Sequence, residues 1–261
     1  MRFAAETGYE GIEIAPFTIA KDVRDIKLDA RDQIRNMAES AGLAITGLHW
    51  LLAQTEGFHL NHPDSAVRNR TVEYLCDLVN CCADIGGNTL VLGSPKQRNV
   101  LEGVDPKQAW EWARATLEPA AVLAMNRGLT ICLEPLAPAE TNFINTAEEA
   151  IRMVHQIHCP SFQIILDVKA MSSEAKPIPE IIRASWPSFA YFHANDRNLK
   201  GPGFGDVDFV PIFGALKEVG YTGWISVEVF NFEEGPEVIA RQSLAYLKKA
   251  RAAAPTPKGW E

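Results

Sequence analysis

The chain has 261 residues, 47% of them hydrophobic and 22% charged, enough for one large α/β domain or two small ones with a full core. Its formal charge of −8 argues against a nucleic-acid partner, because phosphate binding needs a basic face. The opening residues lack the apolar core of a secretion signal and no apolar run reaches membrane-spanning length, so neither export nor a membrane partner is expected.

The opening stretch 2–7 reads as a helix, followed by a short strand at 11–14 that carries Glu13. A helix over 30–41 leads to a strand at 44–49, closing on His49 and followed by Trp50. Asp64 opens a helix over 65–85, whose inward stripe is Leu75, Leu78, Val79 and Cys82. A strand at 89–93 follows, and then Asp105-Pro106 starts a helix over 106–126. The strand at 130–134 ends on Glu134, and a helix covers 147–156. Strands at 163–167 and 189–193 end on Asp167 and His193, a helix covers 210–219, and a last strand at 224–229 carries Glu228.

Strand and helix alternate throughout, which implies a parallel sheet. No strand is followed by a Gly-rich phosphate turn, which weakens a dinucleotide-binding fold. A repeat points elsewhere. Gly8-Tyr9-Glu10-Gly11-Ile12-Glu13-Ile14 matches Gly220-Tyr221-Thr222-Gly223 followed by Trp224-Ile225-Ser226-Val227-Glu228, and the stretch from Gly128 to Glu134 is a looser copy. Each copy leaves a helix, forms a short strand and places Glu near its end, which is how a (β/α)8 TIM barrel builds a site. Only seven strands are legible, so the first strand is missing or irregular in this chain, with an open sheet edge beside 11–14. One barrel domain is expected over 1–250, with 251–261 a tail that is loose or packed on a neighbour. The five cysteines, Cys76, Cys81, Cys82, Cys132 and Cys159, show no CxxC pair, and read as reduced thiols in a cytoplasmic protein.

The chemistry collects at the strand ends. Ile-Cys-Leu-Glu134, Ile-Ile-Leu-Asp167, Ala-Tyr-Phe-His193 and Ile-Ser-Val-Glu228 are apolar or small until their last residue. Burying an ionisable group there is costly unless it is paired or metal-bound. Chains do become polar at strand ends, but Ser, Thr, Asn or Lys would then serve equally well. Three carboxylates and one imidazole form a hard ligand set suited to one divalent ion, Mn²⁺, Mg²⁺ or Co²⁺, with Zn²⁺ also admitted.

The ordered series Leu133-Glu134-Pro135, Leu166-Asp167, His193-Ala194-Asn195-Asp196, Gly203-Phe204-Gly205-Asp206-Val207-Asp208-Phe209 and Gly220-Tyr221-Thr222-Gly223…Val227-Glu228 resembles the xylose-isomerase-like sugar isomerases and epimerases, nearest to the ketose 3-epimerase and hydroxypyruvate isomerase type. The resemblance implies a TIM barrel with one metal held by Glu134, Asp167, His193 and Glu228. The two glutamates would double as acid and base, taking a proton beside a carbonyl and returning it through an enediolate. The substrate would be a sugar or keto acid, and a homo-oligomer is compatible with the family. Two departures stand out. The family's histidine three residues after the aspartate ligand is Ala170, and its arginine six residues after the histidine ligand is Leu199.

Replacement cations for substrate are Lys169, Arg197, and the pair Lys96 and Arg98 in the loop after 89–93. Glu13 and His49 are further candidates for substrate hydroxyls, and Trp50 and Phe17 for an apolar wall. His59 and His62 fall in a long loop of lid-like length. Two other chemistries fit the same barrel: a dehydratase of a keto-cyclitol or keto-sugar, and an endonuclease-IV-like phosphodiesterase. The second is disfavoured by six histidines in an acidic chain.

Overall fold

A computed structural model describes residues 1–255. Helix α1 (Arg2–Thr7) stops at Gly8, whose φ of 102° is open to glycine, and leads into β1 (Gly11–Ile14). There follow α2 (Leu28–Ser40), β2 (Ala44–Leu48), α3 (Ser65–Asp84), β3 (Thr89–Leu92), α4 (Pro106–Arg127), β4 (Thr130–Leu133), α5 (Ala147–Ile157) and β5 (Phe162–Asp167). The chain continues through α6 (Val168–Met171), α7 (Ile178–Ser185), β6 (Phe189–Ala194), α8 (Phe209–Glu218), β7 (Ile225–Val227) and α9 (Pro236–Ala253). The start signals act as read: the Asp64 and Asp105 side chains accept from Ala66 N and Lys107 N, capping α3 and α4.

All seven strands are parallel and each pairs with its sequence neighbour, in the order β1 to β7. Among the described residues no backbone ladder joins β7 to β1. Side chains bridge that seam instead. Ser226 Oγ donates to Glu13 Oε2 at 3.1 Å, and Gly11 lies so close to Trp224 that a Cβ there would sit 3.2 Å from the indole. A cavity of about 900 Å³ runs along the seam, with Glu13, Trp50 and Glu228 among its walls.

The sheet faces two cores. Its outer side packs on the helices through residues such as Leu90, Ile131, Leu166 and Phe192. Its inner side holds a small layer of Val91, Cys132, Ile165 and Tyr191. Strand residues alternate faces with period two, so two positions further along the same inward row come Gly93, Glu134, Asp167 and His193. The candidate site is the next layer of the barrel interior.

The expected tail begins inside α9, which extends to Ala253, and Ala254 is buried. Lys217 Nζ donates to the Arg251 and Ala254 carbonyls at 2.9 and 2.8 Å. The first residues of that segment are therefore docked rather than loose; the rest of it, 256–261, lies outside the described residues. No described helix is long and apolar enough to cross a membrane.

Candidate active site

Glu134, Asp167, His193 and Glu228 each offer one ligand atom, and these atoms all lie within 4.8 Å of one another. Register explains the convergence: Asp167 pairs with His193 across β5 and β6, while Glu134 and Glu228 follow β4 and β7 on either side. Their backbone amides continue the ladders, Glu134 N to Leu92 O and Glu228 N to Ala194 O. Gly93 fills the place in this layer where a side chain cannot go, since a Cβ there would lie 2.3 Å from Glu134 Oε2.

Each group is aimed by neighbours. Asp167 doubles as the cap of α6, its Oδ1 accepting from Ala170 N at 2.8 Å. Its Oδ2 accepts from Asn195 Nδ2 at 2.5 Å, and Asn195 Oδ1 accepts from Lys169 N at 2.7 Å. One amide thus locks the aspartate and the turn after it. His193 Nε2 lies 3.0 Å from Glu13 Oε2, so Nδ1 faces the cluster, 3.0 Å from Glu228 Oε2 and 4.0 Å from Asp167 Oδ2. Glu228 Oε1 accepts from Trp50 Nε1 at 2.8 Å and lies 3.3 Å from His49 Nδ1.

His193 Nδ1 and Glu228 Oε2 are buried and, although 3.0 Å apart, are not aligned for a hydrogen bond. Two orphaned atoms facing the same point as Glu134 and Asp167 fit a divalent cation. The charges agree with that fit. Burial, with Glu228 and Asp167 nearby, raises Glu134 well above the usual carboxylate range, and burial beside Glu228 raises Asp167 to about 6. Burial alone would raise Glu228, but His193 and His49 outweigh it and hold that carboxyl well below the usual range. Burial alone would lower His193, but Glu228 and Glu13 raise it well above a free imidazole. The imidazolium is the compensating charge here, and a bound cation would replace its proton.

The outlying candidates divide. Glu13 holds His193 from behind, with its side chain 6% exposed. Arg98 is fully buried and donates to the carbonyls of Glu134 (2.7 Å), Leu92 (2.8 Å) and Gly93. Its two terminal nitrogens tie the ends of β3 and β4 together, while Nε is buried without a partner. Lys96 is exposed on the same loop, and Arg197 is exposed and paired with Asp206 at 2.8 Å, away from the cluster. Lys169 stays near it, its Nζ 2.8 Å from Glu140 Oε1 and 4.2 Å from the Phe230 ring centre. Phe17 and Phe230 both stack on Trp50, with centroids 5.8 and 6.0 Å away.

Three neighbours of the cluster are missed, or given another role, by the sequence reading. Glu140 sits in a loop with no periodicity to flag it. Asn195 was visible only as an amide two residues past His193. Trp50 was read for its ring faces, whereas its edge N–H makes the polar contact.

The family model described as xylose isomerase-like TIM barrel matches residues 1–250. Among curated relatives, the D-psicose 3-epimerase of Ruminiclostridium cellulolyticum is 27% identical over 230 residues, 87% of this chain and 75% of the relative. The L-ribulose 3-epimerase of Mesorhizobium japonicum is 29% identical over 204 residues, covering 74% and 68%. The fructoselysine 3-epimerase of Escherichia coli O157:H7 is 25% identical over 255 residues, covering 93% and 89%. Of solved structures, a D-psicose 3-epimerase crystallised in the presence of D-fructose superposes with a TM-score of 0.85 at 21% identity, covering 95% and 91%. A 3-keto-D-glucoside 4-epimerase from E. coli gives 0.81 at 20%, covering 94% and 90%. These superpositions establish the barrel fold.

Proposed function

Because the chain belongs to the xylose isomerase-like TIM-barrel family, we propose that it is a metal-dependent sugar epimerase or isomerase acting on a ketose. The observation that carries this reading is the convergence of Glu134, Asp167, His193 and Glu228 from separate strands onto one buried point. Curated relatives named as ketose 3-epimerases support the substrate class.

Glu134, Asp167, His193 and Glu228 would hold the ion, with Mn²⁺, Mg²⁺ or Co²⁺ suited to the donor set and Zn²⁺ admitted. When bound, it supplies Lewis acidity that polarises a substrate carbonyl. The chain's own groups supply the proton chemistry. Glu134 and Glu228 follow strands separated by β5 and β6, so they flank Asp167 and His193. One carboxylate takes the proton next to the carbonyl, leaving an enediolate, and the other carboxyl returns a proton to the opposite face. Among the described residues nothing hydrogen-bonds the Glu134 carboxylate, which leaves it free for transfer, whereas Glu228 is tethered by Trp50. The apolar inner layer beneath excludes water from that side.

We place the protein in the cytoplasm, a setting supported by its free thiols, three of them buried.

The test is a panel of ketoses and keto acids in D₂O with Mn²⁺, followed by NMR. Deuterium entering a carbon next to the carbonyl, with an epimer or isomer formed, is the expected result. Loss of water from the substrate would point to a dehydratase. Absence of exchange across the panel, with metal bound, would remove the epimerase reading.

A further inference from the structure

Trp50 combines three features that packing alone does not require. Its backbone is left-handed, with φ of +52°, a conformation that a bulky side chain adopts only when its surroundings impose it. Its indole stacks on Phe17 at 27° and on Phe230 at 18° between planes. Its Nε1 donates to Glu228 Oε1 at 2.8 Å. The turn is fixed independently, since Ala53 N donates to Trp50 O at 3.0 Å and Leu52 N donates to Ser94 Oγ at 3.1 Å.

The consequence falls on Glu228. Its Oε1 is taken by the indole, while Oε2 is buried without a partner and points at His193 Nδ1, 3.0 Å away. An indole N–H only donates, so it cannot release Oε1 by switching roles. His49 Nδ1, at 3.3 Å from the same oxygen, can donate or accept according to its tautomer and holds less firmly.

We propose that Trp50 is a positioning residue that pins one oxygen of Glu228 and so presents the other to the divalent cation. This rests on the metal-dependent reading above. The strained turn is then the device that brings the edge of the ring, rather than its face, to the site. Groups bonded to a metal's ligands commonly change affinity by about 10–100-fold when removed.

The experiment is calorimetric titration of the full chain with Mn²⁺ alone, alongside thermal melting. Trp50→Phe keeps the stacked ring and loses the N–H. Incorporating 3-benzothienylalanine at position 50 exchanges N–H for sulfur at nearly unchanged shape, and serves if the phenylalanine variant misfolds. Phe17→Leu thins the stack and keeps the N–H. We expect Mn²⁺ affinity to fall about tenfold or more in both position-50 variants, and to stay within about twofold of the parent in Phe17→Leu. A folded position-50 variant binding Mn²⁺ like the parent would overturn the proposal. So would a loss in Phe17→Leu as large as theirs, which would reduce Trp50 to packing. A parent that binds no Mn²⁺ would instead remove the metal-dependent reading, and this inference with it.

Discussion

Glu13 Oε2 on β1 lies 3.0 Å from His193 Nε2 on β6, the ring nitrogen turned away from Glu228 and Asp167. Ser226 Oγ on β7 donates to the same oxygen at 3.1 Å. One carboxylate therefore fixes the imidazole's orientation and closes the barrel seam. With its partner bond on Nε2, His193 must offer Nδ1 to the cluster, a pattern common behind metal-bound histidines.

Glu13→Gln keeps the size of this side chain and removes its charge. The expected outcome is Mn²⁺ affinity lowered by about 10–100-fold, with a melting temperature close to the parent's. Calorimetric titration and a melt check both. Unchanged affinity would leave Glu13 as a seam residue only.

Arg98 gives a prediction of the opposite kind, a loss of stability. Arg98→Met strands the carbonyls of Gly93 and Glu134 and leaves Leu92 O only the Glu134 amide. Each buried acceptor left without a partner costs about 1–3 kcal/mol, so a loss of at least ~2 kcal/mol is expected in urea denaturation. Lys96→Met, on the exposed side of the same loop, should change stability by less than about 0.5 kcal/mol. Equal stabilities for the two variants would contradict the structural role of Arg98.

These contrasts mark what the sequence can carry. Glu134, Asp167 and His193 were legible because each ends an apolar run, and period-two alternation puts them on one inward row. The fold was legible for the same reason, down to the count of strands. Arg98 was not, because a cation in a strand-end loop looks the same whether its fork meets substrate or backbone carbonyls. Glu13 reads from sequence only as a candidate for substrate hydroxyls, because only the closing of β1 toward β7 puts it behind His193. Helix α6 was invisible because its cap, Asp167, is the last residue of a strand, and four residues carry no periodicity.

His59 should make stability depend on pH. It is buried with both ring nitrogens unpartnered, and its ring centre is 5.8 Å from that of His62. Burial first, and His62 second, push its imidazole down to about 4 from 6.5. The folded state therefore favours the neutral ring, and the unfolded chain takes up the proton first as pH falls. The stabilisation is complete above about pH 6.5 and is lost progressively toward pH 4. At pH 5 the loss is ~1–2 kcal/mol, allowing for partial solvent screening. His59→Phe should remove this part of the acid sensitivity. The check is urea denaturation of both proteins at pH 7.5 and pH 5; parallel losses would show that His59 titrates normally.

Lys169 is the cation that remains beside the cluster, and it should govern substrate affinity rather than metal affinity. Its ammonium lies between the Glu140 carboxylate and the Phe230 ring, with the side chain 10% exposed. Arg98 is committed to backbone and Arg197 to Asp206. Beside Lys169 stands Ala170, whose methyl group cannot hydrogen-bond a substrate oxygen, so we propose that Lys169 and Glu140 recognise substrate there. Together they offer a donor and an acceptor, a match for adjacent hydroxyl groups. Lys169→Met keeps the aliphatic stem over Phe230 and removes the donor. A lost hydrogen bond to a charged donor costs about 1.5–3 kcal/mol, so KM for the best ketose in the panel should rise ~10–100-fold, with Mn²⁺ stoichiometry unchanged. Glu140→Gln should raise KM in the same direction and by less, because an amide still offers an acceptor. Steady-state kinetics with saturating Mn²⁺ separates KM from kcat. Parental KM in Lys169→Met would show that substrate is read elsewhere on the rim.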